Sequence, residues 1–208
     1  MRKIRSIIHI TFIVIFCFCQ NNLSAQASQK SKNEERWHKW RDEMVQPEKL
    51  LNRLEIKPGM IIGEAGAGAG YFTYYLAERV KETGHVYAND ILTLPLENLK
   101  KQLTDRGLKN YTTVLGEADD PLFPVKNLDM IISLSAWHEF TNKVEWLRNS
   151  RKYLKPGSSV IILDSRDDNG REITKEDVSD DANKAGYSLK SYEEYNSEIK
   201  IFILKPKS

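Results

Sequence analysis

The 208-residue sequence predicts an α/β fold: a three-layer α/β/α sandwich around a seven-stranded, mostly parallel sheet with an antiparallel C-terminal strand. Between residues 60 and 163, short apolar runs alternate with segments whose apolar residues recur at helical spacing. This alternation is typical of a parallel sheet covered on both faces. The runs 187–192 and 199–204 are joined by only a short connection, which predicts an antiparallel hairpin at one edge of the sheet.

The N-terminus has the layout of a secretory signal peptide. A basic start is followed by a mostly apolar run, 7–19, and then by the small residues Ala25-Gln26-Ala27. We therefore predict that residues 1–27 are a signal peptide and that the mature protein is exported, to the periplasm or outside the cell. The apolar run is shorter than the roughly 20 residues that a membrane span needs, but a retained membrane anchor stays an alternative.

The predicted mature part, 28–208, suits one domain with a helical segment at 33–56. Removal of residues 1–27 takes away three basic residues and no acidic ones, and leaves 28 basic against 29 acidic. This near-neutral balance predicts no nucleic-acid partner and no membrane partner for the mature domain. Both cysteines, Cys17 and Cys19, fall in the signal peptide, so we expect no disulfide and no metal site. The oligomeric state is not predicted.

The elements follow one another in a regular order. The helical pattern at 35–54 includes a second helix that begins at Pro47, and Trp37 and Trp40 are interpreted as packing residues or, alternatively, as part of a lid. Asn142 with Glu145 resembles a capping box at the start of a later helix. The predicted strands are 60–63, 85–89, 111–115, 128–134, 160–163, 187–192 and 199–204, and the intervening helices include 70–81 and 174–185.

The most informative stretch is 60–72, with the sequence M-I-I-G-E-A-G-A-G-A-G-Y-F. An apolar strand runs into Glu64, and then Gly66, Gly68 and Gly70 alternate with alanine before a helix begins. Glycines at this position let the backbone turn sharply and let a ligand approach it closely. A dinucleotide-binding loop would place its third glycine where Tyr71 stands, so this pattern argues against a nicotinamide cofactor.

The segment resembles motif I of the class I S-adenosylmethionine (SAM) dependent methyltransferases. In that family, the acidic residue and the glycine backbone hold the amino-acid end of SAM, and these positions correspond to Glu64, Gly66, Gly68 and Gly70. The resemblance implies SAM as the cofactor. It also places Ala67 among the cofactor-binding residues.

Further candidate cofactor residues follow in order along the chain. Tyr71 is expected to cover the methionine end of SAM. Asp90 ends the second strand, where a carboxylate can accept both ribose hydroxyls, although a strand-end cap is the alternative. Ile91, directly after it, is included in the cofactor site. Asp119 matches the adenine-side loop of the family, but its neighbourhood is also ordinary turn chemistry. Asp129 opens the fourth strand and is interpreted as structural.

His138 lies in the segment S-A-W-H-E-F at the carboxyl end of the predicted central strand, where ligands of open α/β sheets gather. Members of the resembled family often carry an aromatic-His pair here. His138 is therefore the candidate catalytic residue, which lines the transfer pocket, orients a substrate or takes a proton from it.

These observations predict an enzyme, a SAM-dependent methyltransferase that acts on an unidentified small molecule. A second hypothesis is an exported SAM-binding or nucleotide-binding protein, or a catalytically inactive relative, and the signal peptide motivates it. A nicotinamide-dependent oxidoreductase is a third and weaker alternative.

Overall fold

The computed structural model describes residues 36–167 and 169–207. The predicted signal peptide, 1–27, and the first residues of the predicted helical segment lie outside them. The chain divides into two units between Gln46 and Pro47. Across the described ranges, none of the helices has the length and apolar character to cross a lipid bilayer.

The first unit contributes helix α1, residues 36–45. The guanidinium carbon of Arg41 lies 5.0 Å from the centre of the Trp37 ring. Trp37 and Trp40 are 45% and 57% exposed, so the interpretation of both as packing residues is wrong.

The second unit contains five helices, seven strands and two short 3-10 turns within the described residues. Pro47 begins its first helix, as its sequence position predicts. The helices are α2 Pro47–Arg53, α3 Tyr71–Val80, α4 Thr93–Asp105, α5 Lys143–Ser150 and α6 Lys175–Lys184. The strands are β1 Ile61–Ala65, β2 His85–Asp90, β3 Tyr111–Leu115, β4 Leu128–Leu134, β5 Leu154–Asp164, β6 Tyr187–Glu194 and β7 Lys200–Pro206. The turns are Trp137–Glu139 and Arg151–Tyr153.

The strands form one sheet in the order β3-β2-β1-β4-β5-β7-β6. The pairs β3-β2, β2-β1, β1-β4 and β4-β5 are parallel, while β7 is antiparallel to both β5 and β6. The predicted fold class, including the antiparallel last strand and the terminal hairpin, is confirmed. The chain leaves β1 toward one edge and β4 toward the other, so a crevice opens at the carboxyl ends of these two strands.

The two faces of the sheet are packed differently. A large cluster of buried side chains includes Trp137, Trp146, Tyr187 and Phe202. A smaller one joins Leu96, Leu99 and Leu103 of α4 to Ala67 and Ala88. The smaller cluster holds α4 against the loop that follows β1, and it thereby positions one side of the crevice.

Strand β5 is longer than predicted because the Pro156-Gly157 break does not end it. Leu154 already pairs with Leu128, and the register shifts between Leu128 and Met130. Lys155 Nζ also donates to Asp129 Oδ1 at 2.6 Å, and the Ile61 amide donates to Asp129 Oδ2 at 2.7 Å. Asp129 therefore ties three strands together, which fits its structural interpretation.

The predicted capping box at α5 is wrong. Asn142 precedes the helix but makes no side-chain cap hydrogen bond, and Glu145 instead pairs with Arg148. A capping box forms at α6, where Thr174 Oγ1 accepts from the Asp177 amide at 3.1 Å and Asp177 Oδ2 accepts from the Thr174 amide at 3.4 Å. Thr174 is the N-cap residue, and its backbone is extended, as this motif needs.

Tyr187 makes stability sensitive to alkaline pH. Its side chain is fully buried, its hydroxyl lies 3.0 Å from Ser150 Oγ, and burial raises its pKa to about 12. Folding then favours the neutral phenol, so its contribution is complete below the ordinary pKa near 10 and is lost as pH rises toward about 12. We expect unfolding free energy to fall over this window by about 2–3 kcal/mol more in the wild type than in Tyr187→Phe. Urea unfolding followed by tryptophan fluorescence tests this, and equal falls in both proteins would contradict it.

Candidate active site

The loop after β1 brings the ends of β1 and β4 into close contact. Gly66 has a φ of +73°, and a Cβ built on it would lie 2.3 Å from the Cβ of Ala136. The next loop glycine, Gly68, has a φ of +54°, but a Cβ built there would meet no atom within 4 Å. The glycine loop therefore packs against Ala136, two residues before His138, whereas no atom lies against it at Gly68.

Glu64 lies beneath this loop and is 2% exposed. Its Oε2 accepts a hydrogen bond from Thr73 Oγ1 at 2.6 Å. The bond joins the end of β1 to the first turn of α3, so the acidic residue braces the strand-loop-helix unit. Thr73 was not identified from the sequence, since a single threonine inside a helical pattern carries no signal.

Asp90 joins the glycine loop to the loop after β2. Its Oδ2 accepts from the Gly68 amide at 2.9 Å, and its Oδ1 accepts from the Leu92 amide at 3.0 Å. A carboxylate has about four lone-pair positions, so these two bonds leave acceptor capacity on both oxygens. The strand-end cap and the ribose-binding role are therefore compatible in one side chain.

Asn89 connects three loops at the same edge of the sheet and was not predicted as a site residue. Its carbonyl accepts from the Ala67 amide at 2.8 Å, and its buried Nδ2 donates to the carbonyls of Pro121 at 2.9 Å and Val114 at 3.3 Å. An amide side chain inside an otherwise buried strand, directly before Asp90, is the signal that could have found it.

Apolar side chains stand exposed beside Asp90. Ile91 is 56% exposed, and Leu115, which pairs with Asp90 across β2 and β3, is 54% exposed. Exposed apolar side chains that lie next to one another are typical of ligand-binding surfaces. They form an apolar border next to a carboxylate at the carboxyl edge of the sheet.

The loop after β3 lies next to Asp90 through the Gly116 amide, which donates to the Asp90 carbonyl at 3.0 Å. The carbonyl of Asp119 accepts from Asn149 Nδ2 at 2.9 Å, and this bond fixes the backbone of the predicted adenine-side residue.

Asp120, the residue after Asp119, stabilises the loop after β3 through its hydrogen bonds. Asp120 accepts from Tyr153 Oη at 2.6 Å, from the Leu122 amide at 3.0 Å and from Lys152 Nζ. Burial acts to raise the pKa of Asp120, but the hydrogen bonds from Lys152, Tyr153 and Leu122 outweigh it and leave the pKa below its ordinary value.

His138 lies in the short turn after β4, at the other side of the crevice. Its Nδ1 lies 2.9 Å from Asp164 Oδ2, and its backbone amide donates to the same oxygen at 3.1 Å. Asp164 ends β5 and is buried. Asp164 was not predicted as a site residue, although its place at the end of a buried strand, at the same sheet edge, is a signal in the sequence.

Lys143 contacts the turn that carries His138. Its Nζ donates to the Phe140 carbonyl at 2.6 Å and lies 5.7 Å from the centre of the Trp137 ring. Burial lowers the pKa of Lys143, and the negative charges of Asp181 and Asp164 oppose that change. The amine therefore anchors the aromatic turn on which His138 sits.

The predicted site residues thus gather along one edge of the sheet. Gly66, Ala67 and Gly68 form the loop, Asp90 and Ile91 flank it on the β2 side, and Ala136 leads to His138 on the β4 side. Gly70 packs on Leu99, since a Cβ on it would lie 2.6 Å from Leu99 Cγ. Tyr71 starts α3 with its ring in edge contact with Tyr75 at 5.5 Å. In residues 36–167 and 169–207, no three His, Cys, Asp or Glu side chains are grouped to hold a metal ion.

The strand order, the glycine loop after β1 and the acidic residue at the end of β2 define the class I SAM-dependent methyltransferase fold. A family model described as "Methyltransferase domain" matches residues 56–199, and the chain belongs to that family.

Individual relatives agree with this assignment. The chain is 31% identical over 113 residues to the protein-L-isoaspartate O-methyltransferase of Pyrococcus horikoshii, a match that covers 54% of this chain and 48% of that protein. It is 28% identical over 114 residues to the ubiquinone/menaquinone biosynthesis C-methyltransferase UbiE of Bordetella parapertussis, covering 55% of this chain and 44% of that protein. The chain thus spans about half the length of these curated relatives.

Among solved structures, a SAM-dependent methyltransferase from Aquifex aeolicus is similar with a TM-score of 0.70 and 25% sequence identity. The superposition covers 76% of this chain and 88% of that one. This likeness extends beyond the glycine loop to most of the second unit.

Proposed function

We propose that this chain transfers a methyl group from SAM to a small-molecule acceptor. The observation that carries the proposal is the Asp90 carboxylate, which accepts from the Gly68 amide at 2.9 Å while Gly68 itself leaves open space above the loop. A ligand that needs a bare backbone and an adjacent carboxylate would lie there.

The residues fit SAM when each part of the molecule is considered. The loop from Gly66 to Gly68 would hold the amino-acid end over the N-terminus of α3, with Glu64 and Tyr71 beside it. Asp90 would accept from the ribose hydroxyls. Ile91 and Leu115 supply the apolar border that an adenine ring needs, and Asp119 would accept from its amino group.

SAM, when bound, supplies a methyl group on a sulfonium that leaves readily as a neutral thioether. The protein therefore has mainly to align the two reactants and to exclude water. Ala136, in contact with Gly66, places the His138 turn on the side of the loop where the acceptor would approach. His138 and the aromatic ring of Phe140 are the candidate acceptor-side groups.

A small molecule is the proposed acceptor because the net charge of the predicted mature domain is near neutral, without the basic excess that is typical of nucleic-acid-binding domains. The names of the two relatives include an O-methyltransferase and a C-methyltransferase, so they do not define the atom that receives the methyl group.

Calorimetric titration of the purified full chain, held in a mild detergent, tests the proposal. We expect S-adenosylhomocysteine and SAM to bind in the micromolar range and NAD not to bind under the same conditions. A chain with a folded circular dichroism spectrum that binds neither sulfur ligand would overturn the proposal. That result would favour an inactive relative, and tighter NAD binding would favour an oxidoreductase.

We also propose that the domain is exported after cleavage of residues 1–27, a proposal supported by the basic, apolar and small-residue order at the N-terminus. Mass spectrometry of the protein from its native cell should find a new N-terminus near Ser28. An intact Met1 in the membrane fraction would show a retained anchor instead.

A further inference from the structure

The two edges of the sheet differ in how they are protected from another chain. Strand β6 forms one edge, where the register shifts between Leu189 and Ser191 and the exposed Lys190 stands at the shift. Bulges and charged side chains are the usual means by which an edge strand avoids pairing with a second protein. Strand β3 forms the other edge, and its sequence, Y-T-T-V-L, has no charged residue and no proline. Its register with β2 is unbroken, so β3 is an unprotected edge.

Three residues of β3 direct their backbone groups away from the sheet. The carbonyl of Asn110, before the strand, and the amide of Gly116, after it, each form a hydrogen bond of 3.0 Å with β2. Backbone groups alternate in direction along a strand, so the even-numbered residues face β2. In the part of the chain that the structure describes, β2 is the only strand that pairs with β3. The backbone amides and carbonyls that face outward are those of Tyr111, Thr113 and Leu115.

One face of β3 is also left without a helix. Helices α3, α4, α5 and α6 connect other consecutive strands, but residues 116–127 connect β3 to β4 without one. Tyr111 points toward α4, since its hydroxyl lies 3.0 Å from Thr104 Oγ1. Thr112, the next residue, therefore points to the opposite face, where its hydroxyl lies 2.9 Å from His85 Nε2 and its side chain is exposed. The connection to β4 thus places no helix over this face of β3.

We propose that β3 pairs with β3 of a second copy of this chain, antiparallel and about a two-fold axis at Thr113, so that two seven-stranded sheets join into one. An antiparallel pair of identical strands has two-fold symmetry, which is the symmetry of the commonest protein dimers. This pairing is independent of methyl transfer, because it depends on the sheet edge and not on the cofactor site.

The charges next to β3 favour this register. With Thr113 opposite itself, Lys109 lies opposite Glu117 of the second copy, and the symmetry repeats this pair at the other end of the interface. Lys109 and Glu117 are both exposed, and neither makes an ion pair within the described residues. Opposite charges that face each other across two strands stabilise the pairing. A shift of two residues in either direction would place Lys109 opposite Leu115, or Glu117 opposite Tyr111, and would lose both pairs.

The same register uses every outward-facing residue of the strand. Tyr111 lies opposite Leu115 of the second copy and Thr113 opposite itself, and residues paired in this way exchange two backbone hydrogen bonds. Leu115, which is 54% exposed, gains an apolar neighbour. Because Leu115 pairs with Asp90 inside the sheet, the second copy would border the carboxyl edge at which the predicted site residues gather. The strand has only five residues, so we expect a dissociation constant in the micromolar range.

Light scattering of the full chain, corrected for bound mild detergent, measures the oligomeric state. At about 100 μM we expect the mass of two 24.0 kDa chains. Thr113→Lys would place two like charges opposite each other and should weaken the dimer at least tenfold, by roughly the cost of a repelling cross-strand pair at the axis. Ser191→Lys makes the same change on the protected edge strand β6 and should leave the dimer intact. A monomeric wild type, or a dimer equally stable in both variants, would overturn the proposal.

A charge exchange tests the register without changing the strand itself. Lys109→Glu or Glu117→Lys alone should weaken the dimer by about tenfold, since each places like charges opposite each other at both ends of the interface. The double variant restores opposite charges and should restore the wild-type dissociation constant. A dimer that neither single variant weakens, or that the double variant does not restore, would overturn this register.

A disulfide tests the position of the two-fold axis. Cys17 and Cys19 are the only cysteines of the chain, and both are replaced by serine for this experiment. Thr113→Cys in that background should form a covalent dimer on mild oxidation, because residues opposite each other in a hydrogen-bonded antiparallel pair have Cα atoms about 5.5 Å apart. Ser191→Cys is the matched control and should stay a single chain on a non-reducing gel. If Thr113→Cys does not cross-link, the axis does not lie at Thr113 and the proposed pairing is wrong.

Discussion

Replacing Asp90 by alanine is expected to weaken S-adenosylhomocysteine binding by at least a hundredfold. Asp90 would provide two charge-assisted hydrogen bonds to the ribose, and each such bond contributes about 1.5–3 kcal/mol. The substitution also removes the hydrogen-bond acceptor of the Gly68 and Leu92 amides, so the loops that they belong to lose two hydrogen bonds. Calorimetry of the variant against the wild type measures the loss.

A deoxy ligand distinguishes direct ribose binding from loop ordering. If Asp90 accepts from the ribose, wild-type protein should bind 2′-deoxy-S-adenosylhomocysteine more weakly than the parent ligand, while Asp90→Ala should bind the two equally. If both proteins discriminate to the same extent, Asp90 acts on the loop alone. Asp105→Ala serves as a control, since Asp105 pairs with Lys101 on the exposed face of α4.

Gly66→Ala is expected to lower the free energy of unfolding by about 2–5 kcal/mol. The left-handed backbone at Gly66, with a φ of +73°, costs an alanine about 1–2 kcal/mol, and the 2.3 Å approach to Ala136 adds an overpacking cost of about 1–3 kcal/mol. Urea unfolding measures the change. The double variant Gly66→Ala with Ala136→Gly removes the opposing methyl group. It should therefore recover the share of the unfolding free energy that overpacking costs the single variant.

Gly68→Ala should weaken ligand binding more than it lowers the free energy of unfolding. Its φ of +54° costs alanine only the backbone strain of about 1–2 kcal/mol, because nothing lies within 4 Å of the added Cβ. The methyl group would instead enter the space proposed for SAM, so the affinity for S-adenosylhomocysteine should fall more than the stability does. If Gly68→Ala binds as the wild type does, SAM does not lie on this side of the loop.

Local patterns predicted the elements well where the periodicity was strong. Strands β3 and β4 have the predicted bounds, and α3 differs by one residue at each end. The misses have two different origins. Strand β5 continues through Pro156-Gly157 because a register shift opposite Leu128 in the neighbouring strand accommodates the break. At α5 the competing contact is local, since Glu145 pairs with Arg148 in the same helix and Asn142 makes no side-chain cap hydrogen bond.

The candidate site was only partly predictable for a related reason. Gly66, Gly68 and Asp90 could be found because glycines and a strand-end acid form a pattern along the chain. Asn89 and Asp164 could not be recognised as partners, since their hydrogen bonds reach 32 residues to Pro121 and 26 residues to His138. No spacing rule connects residues so far apart before the sheet brings them together.

Sequence alone determined the alternating strands and helices, the antiparallel end of the sheet and the glycine loop, because each depends on neighbours within a few positions. Tertiary structure decided which side chains meet at the carboxyl edge. The order β2-β1-β4-β5 lines up the ends of four strands that are distant in the chain. Asp90, the glycine loop, His138 and Asp164 share one site because parallel strands carry their carboxyl ends to the same edge of the sheet.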